Sequence, residues 1–536
     1  MNQATVGLQP IDWVCIGLYA CSTIGIGWYF GRTQKSTKEY FVGRGHMSPM
    51  MIGISLFVTL LSTISYLSKP GEVLGKGPVL VLSSLLAYPF VFYIVGFLLL
   101  PVYMKQRVTS AYELLENRLG VGTRLLGGLM FIALRLVWMS LLVYLAARAM
   151  TVMMGVGPEW IPIVVLATGF VAVIYTSVGG LRAVVVTDLL QFVLLLGGAL
   201  LVIAIITFEL GGFSWFPTKW HPHWDTQPLI SFDPRTRVSV FGTVLFMGVW
   251  LVCTSGGDQT SVQRFMATEN ESSARRAYAV QLTASAVVAL VLAMVGFALL
   301  GYFQARPTEL PAGMTLETDA DHLFPWFIAH RLPVGIAGLV VSAMFAAAMS
   351  SIDSGVNSIT AVIMTDFLDR FGIQPRTERG HVLIAKLLAF AIGAIVVLGS
   401  SFMGYVPGNI SAVTNKTVNL LSSPIFGLFF FALLVPFARP VAVWIGAIAS
   451  TLVAAIIAFS GPLVSWLQLS CGIAAETFGV SLMEKVDAVS GETYLLAPDP
   501  ISFQWIGPTS LLVHIVVGLA LSWLMAAGTT NNDDQL

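Results

Sequence analysis

A chain of 536 residues that is 56% hydrophobic and 10% charged, with a mean hydropathy of +0.82, is a polytopic membrane protein rather than a soluble one. Its 28 basic and 28 acidic side chains cancel to a formal net charge of zero, which removes the basic surface that a nucleic-acid partner needs. The cysteines Cys15, Cys21, Cys253 and Cys471 sit in or near hydrophobic runs without paired or metal-ligand spacing, so they read as packing residues.

Residues 1–7 carry no basic n-region, and no cleaved signal peptide is expected. Hydropathy then gives about thirteen spans, centred near residues 20, 61, 91, 137, 168, 193, 250, 290, 350, 391, 424, 449 and 518. Basic residues gather after the first span (Arg32, Lys35, Lys38, Arg44) and the third (Lys105, Arg107, Arg118, Arg124). They recur after the seventh (Arg264, Arg275, Arg276) and the ninth (Arg370, Arg376, Arg379). Intervening loops hold fewer, as in the Trp- and Pro-rich segment with Lys219, Arg235 and Arg237. The positive-inside rule therefore places the N-terminus outside the cell (plasma or inner) membrane and the C-terminus in the cytoplasm. Stretches 207–237, 303–332 and 462–505 read as extracellular loops, with no soluble domain.

Some spans are damaged as helices. The second is Ser/Thr-rich and runs into Pro70-Gly71; the seventh holds Cys253-Thr254-Ser255-Gly256-Gly257, and the eleventh Ser422-Ser423-Pro424. Breaks release backbone carbonyls, and breaks at matching places in two halves point to a transporter site. Here the halves are spans two to six and seven to eleven. Kinks that serve only packing are the alternative. The ninth span contains FAAAMSSIDSGVNS at 345–358. Ala347, Ser350, Ser351 and Ser354 share one helical face, with Asp353 beside it. An acid at mid-membrane costs at least ~2.5–3.5 kcal/mol, so it should face a partner, water or a cation. Hydroxyls and a carboxylate suit a hard cation such as Na⁺. Close helix packing through small residues is the alternative.

Four stretches carry a family resemblance: GGLRAVVVTDLLQ at 179–191, TSAYELLENRLG at 109–120, DQTSVQR at 258–264, and 345–358. Together, and in their order along the chain (109–120, 179–191, 258–264, 345–358), they resemble the sodium:solute symporter family of sodium/glucose, sodium/proline and sodium/sialic acid transporters. The resemblance implies an all-α, LeuT-like fold of two inverted five-helix repeats. The repeats would occupy 49–206 and 238–436, joined by the loop 207–237. An extra helix and first cytoplasmic loop (1–48) would precede them, and two helices with a long loop and short tail (437–536) would follow. It also implies symport driven by the sodium gradient through alternating access, with sodium as the coupling ion and no other cofactor.

By the same resemblance, one sodium site uses the carbonyls of Val58, Leu61 and Ala347 and the hydroxyls of Ser350 and Ser351. Val58 stands where small residues are usual, but its ligand would be the carbonyl. A second sodium site, found in some members, would use Asp188, Ser350, Asp353 and Ser354. Asp353 departs from the usual serine or threonine, so the two acids would bind the cation more strongly or share a proton. A structural pair of Asp188 with Arg182 is the alternative.

The solute is expected beside the broken second span. Ser62 and Ser65 offer hydroxyls there, and Ser83 and Ser84 on the next helix are placed to face them. Tyr66 reads as a gate or as a packing aromatic. Lys69 lies in the outer half of the span, and Arg135 lies one turn from Trp138, the position where sialic-acid members carry a carboxylate-binding arginine. A guanidinium or ammonium meeting the solute makes it an anion: a sugar acid, a sialic acid or a small carboxylate. If Lys69 instead pairs with Glu72, and Arg135 meets helix carbonyls or snorkels, the solute is a neutral sugar or polyol. Lys416 falls at the outer rim. The expected partners are the solute, sodium and the bilayer, with no obligatory protein partner. A sensor or channel on the same scaffold would need an appended signalling domain or a broken ion site. An enzyme would need a motif such as HExxH or GxSxG, and the sequence has neither; His330 and His381 are isolated.

Overall fold

The computed structural model describes residues 8–32, 34, 36–226, 228–373, 375–403, 410–486 and 493–533. The expectations placed on residues 1–7, on Lys35 and on the last three residues lie outside this range.

Helix α1 (Pro10–Gly31) starts with Pro10 in its first turn and Asp12 buried behind it. The Asp12 carboxylate accepts from the amides of Gly335 and Gly338 at 2.7 and 2.8 Å, which ties α1 to the start of a distant helix. The second span is two helices, α2 (Pro49–Leu60) and α3 (Thr63–Lys76), bent by 70°. Leu61 and Ser62 are extended between them, and the Ser62 hydroxyl caps α3 by accepting from the Ser65 amide at 3.2 Å.

Next come α4 (Val79–Gln106) and α5 (Glu113–Met154). Helix α6 (Ile161–Glu209) carries two expected spans and breaks at Gly180, whose φ of 58° and ψ of −168° only glycine adopts readily. The seventh span is α7 (Val240–Gly257) followed by α8 (Gln259–Met266). Its break falls at Asp258, just past the Gly256-Gly257 pair. The Asp258 carboxylate caps α8, accepting from the Thr260 amide at 2.8 Å. Then follow α9 (Glu271–Ala305), α10 (Ile336–Leu368), α11 (Glu378–Ser400), α12 (Ile410–Leu434), α13 (Pro440–Ala458) and α14 (Ile506–Asp533). The interruption expected in the eleventh span is not a break, because α12 continues through Pro424.

Among the described residues, ten helices are long and apolar enough to cross a membrane, and the bent pair adds an eleventh. All the expected centres fall on these helices or on α12, and the centre at 61 falls on the bend. The hydrophilic connections are not plain loops. They hold helices Ala320–Arg331 and Ser460–Cys471 and a two-stranded hairpin, β1 (Met483–Val486) with β2 (Thr493–Leu496).

Helix α10 is the most enclosed span, and it packs against α1, α5 and α6. Its small residues allow this. At Gly355, for instance, a Cβ would come within 2.2 Å of the Met139 sulfur. The connections fold onto α3: Trp224 donates to the Leu74 carbonyl at 3.0 Å, and Ala320–Arg331 packs along the helix.

Candidate cation and solute sites

The bend between α2 and α3 lies against the middle of α10, pinned from both sides. The Thr59 and Ser354 hydroxyls are 2.9 Å apart, and the Thr63 hydroxyl donates to the Met344 carbonyl at 3.0 Å. Leu61 falls between the first pair of pins and Val58 lies one residue outside it; Ala347, Ser350 and Ser351 fall between the second pair. These contacts hold the two stretches that carry the expected first cation set against each other, and all five of its residues are buried. Leu61 lies outside the helical ladder, so its carbonyl is not committed to a helix hydrogen bond. Neutral carbonyls and hydroxyls at a helix break give a cation enough field to replace its water without trapping it.

The second set meets one turn away. Ser350 donates to Asp188 Oδ1 at 2.7 Å, so the hydroxyl shared by the two expected sites links them. Ser354 donates to Asp353 Oδ1 at 3.0 Å, and the Tyr175 hydroxyl binds the other Asp353 oxygen. Between the acids lies a residue that the sequence presents as a loop charge and as the end of the 258–264 stretch, with no site role. Arg264, on α8, is completely buried. It donates to Ser55 Oγ at 2.8 Å and to Ser354 Oγ at 2.5 Å, and it reaches Asp188 Oδ2 at 3.5 Å. Ser55 in turn donates to Asp188 at 2.5 Å. The alternative partner, Arg182, pairs with Glu39 instead, at 3.5 Å. Two buried carboxylates demand a counter-charge, and that demand was the signal for Arg264. Its position in a basic cluster just past a span hid it.

A cavity of about 210 Å³ opens beside the bend. Leu61 borders it, as do Ser65, Lys69, Ser84 and Trp138 from the expected solute set, joined by Ser68, Tyr88, Trp250 and Asn419. The other four expected residues do not line it. Ser62 is spent on capping α3. Ser83 turns back to the Val79 carbonyl. Tyr66 is buried against Phe324 and donates to the Leu195 carbonyl at 3.1 Å, so it packs rather than gates. Arg135 borders an adjoining cavity of about 30 Å³, where its guanidinium pairs with Asp258. Lys416 pairs with Asp499 at 2.6 Å.

Lys69 is the exception among these cations. Its expected neighbour Glu72 is held by Arg237, and among the described residues no hydrogen bond or ion pair reaches the Lys69 ammonium. The half-buried Lys69 ammonium thus faces a largely apolar cavity edged by Ser65, Ser68 and Ser84.

A half-unwound helix facing a hydroxyl-lined one, with a cavity at the break, defines a secondary transporter. The family model of sodium:solute symporters matches residues 40–453, and the chain belongs to that family. It is 30% identical over 457 residues to a sodium/sialic acid symporter of Proteus mirabilis, covering 82% of this chain and 88% of that one. It is 28% identical over 446 residues to sodium-coupled monocarboxylate transporter 2 of Danio rerio, covering 81% and 69%. A solved sodium-coupled sialic acid symporter in an outward-open state superposes with a TM-score of 0.76 at 24% identity, over 96% of this chain and 98% of that one. That likeness gives the LeuT-like fold. The protein is a multi-pass membrane transporter, a sodium-driven symporter of small organic solutes and not an enzyme.

Proposed function

We propose that the solute is a small carboxylate, of the sugar-acid or monocarboxylate kind, whose acid group meets Lys69. The observation that carries this is the unpartnered ammonium on the wall of the cavity. An uncompensated charge at this depth is costly, and an anionic solute removes that cost on binding. Ser65, Ser68 and Ser84 supply polar contacts, and Leu80, Val81, Phe246 and Leu251 receive the apolar part. The relatives named for sialic acid and monocarboxylates carry acids, in keeping with this reading.

Sodium enters at Val58, Leu61, Ala347, Ser350 and Ser351, next to the solute through Leu61. At the second set, Asp188 and Asp353 stand against a single guanidinium, which leaves one negative charge. A second sodium at Asp188, Ser350, Asp353 and Ser354 balances it, with a proton shared by the two acids as the variant. Residues 49–206 and 238–436 act as the two inverted repeats that rock about these sites, importing the solute across the cell membrane with the N-terminus outside.

Uptake into proteoliposomes under a sodium gradient tests the reading. The wild type accumulates a sugar acid or monocarboxylate and ignores its amide. In Lys69→Gln the KM for the acid rises by about 10- to 150-fold, the worth of a charged hydrogen bond. Acid uptake by Lys69→Gln at the wild-type KM would overturn the assignment.

A further inference from the structure

Lys69 and Glu72 stand three residues apart on α3, the spacing at which opposite charges on a helix ordinarily pair. Both border the cavity, and Glu72 is the one acid among the described residues that line it. They do not pair. Arg237, from the connection between α6 and α7, takes both oxygens of Glu72, with Nη1 at 3.3 Å and Nη2 at 2.8 Å. This two-pronged contact is the strong form of an arginine–carboxylate bond. Arg237 is itself fixed from other sides. Its Nε donates to Asp225 at 2.9 Å, and its carbonyl accepts from the Ser502 hydroxyl at 2.8 Å.

The consequence is electrostatic. With Glu72 satisfied by Arg237, the cavity presents Lys69 without its natural intrahelical counter-ion. Without Arg237, Glu72 stands one turn from the ammonium as a tethered competitor, and an incoming acid must displace it.

We infer that Arg237 is a positioning residue that sets solute specificity: by holding Glu72 away from Lys69, it keeps the cavity selective for anions. The inference rests on the reading of Lys69 as the carboxylate anchor. It assigns the choice between acid and neutral solutes to a residue far from the cavity in sequence, acting through Glu72.

The test is binding of the acid and of its amide to the purified full-length protein in sodium. The variants are Lys69→Gln, Arg237→Gln, Glu72→Gln and the double Arg237→Gln/Glu72→Gln. Arg237→Gln weakens acid binding by on the order of 10-fold, with no such loss for the amide. Glu72→Gln binds the acid at least as tightly as the wild type, because the competitor is gone. The double variant recovers the acid affinity that Arg237→Gln loses. A residue that merely clamps the connection onto α3 gives a different pattern: Glu72→Gln and Arg237→Gln weaken both ligands alike, and the double variant does not recover. That result overturns the inference. Glu72→Gln decides the case even where Arg237→Gln fails to fold, since it keeps an uncharged partner for Arg237. If Lys69→Gln loses the acid while Arg237→Gln keeps it, the inference falls and the Lys69 anchor stands. If Lys69→Gln keeps the acid, the anchor falls and the inference falls with it.

Discussion

At the scale of single residues, a buried charge is never alone for free. Asp188 and Arg264 are both completely buried, and each relies on the other and on the hydroxyls of Ser55, Ser350 and Ser354. Arg264 faces Asp353 as well, through Ser354, so its removal leaves two buried carboxylates uncompensated, which costs ~3–5 kcal/mol, whereas removing Asp188 with it leaves only one. Arg264→Gln is therefore expected to lower the melting temperature of the detergent-purified protein more than Asp188→Asn/Arg264→Gln does. Equal losses would mean that the pair is not energetically coupled. This cluster was half legible in the sequence. Acids within apolar spans announce themselves, so Asp188 and Asp353 stood out. Arg264 did not, because a basic residue at the end of a span looks like a topology signal until its side chain is seen turning inward. The Glu72–Arg237 pair was hidden for a related reason. Helical spacing favours the local partner Lys69, and only the folded connection shows the distant one.

At the scale of elements, the bend between α2 and α3 and the small-residue face of α10 were readable from composition: hydroxyls and a Pro-Gly pair in one, serines and alanines in the other. The direction of each side chain around the bend was not. Tyr66 and Ser83 point away from the cavity because backbone carbonyls offer them nearer partners. Pro424 was read as a break, yet α12 runs through it; a proline removes one helical bond, and packing decides whether the helix stops. Gly180 shows the converse. Nothing in a Gly-Gly pair says which glycine takes the strained conformation, but its positive φ and the nearby Tyr40 carbonyl, 2.8 Å from where a Cβ would sit, make it irreplaceable. Gly180→Ala is expected to destabilise the protein by about 1–3 kcal/mol, read as a lower melting temperature without sodium or solute. The neighbouring Gly197, open around its Cβ position, gives the control: Gly197→Ala leaves the melting temperature near wild type.

At the scale of the whole molecule, the order of the spanning helices follows from hydropathy, since a membrane admits few other solutions for the backbone; the short polar α8 does not. The hairpin and short helices in the connections do not follow from it, because water satisfies polar backbone equally well in many shapes. What makes the fold a machine is adjacency. Leu61 lines the solute cavity and, in the proposed reading, also gives its carbonyl to the cation, so filling either site would hold the same bend. On that reading sodium and solute are expected to bind cooperatively, the coupling being the transport mechanism in equilibrium form. The direct measurement is the Kd of the carboxylate for purified protein in sodium and in potassium, for the wild type and for Ser350→Ala. Sodium is expected to tighten binding by roughly 5- to 150-fold in the wild type, with most of this gain lost in Ser350→Ala. Equal Kd values in the two salts, or an undiminished sodium effect in Ser350→Ala, would contradict it.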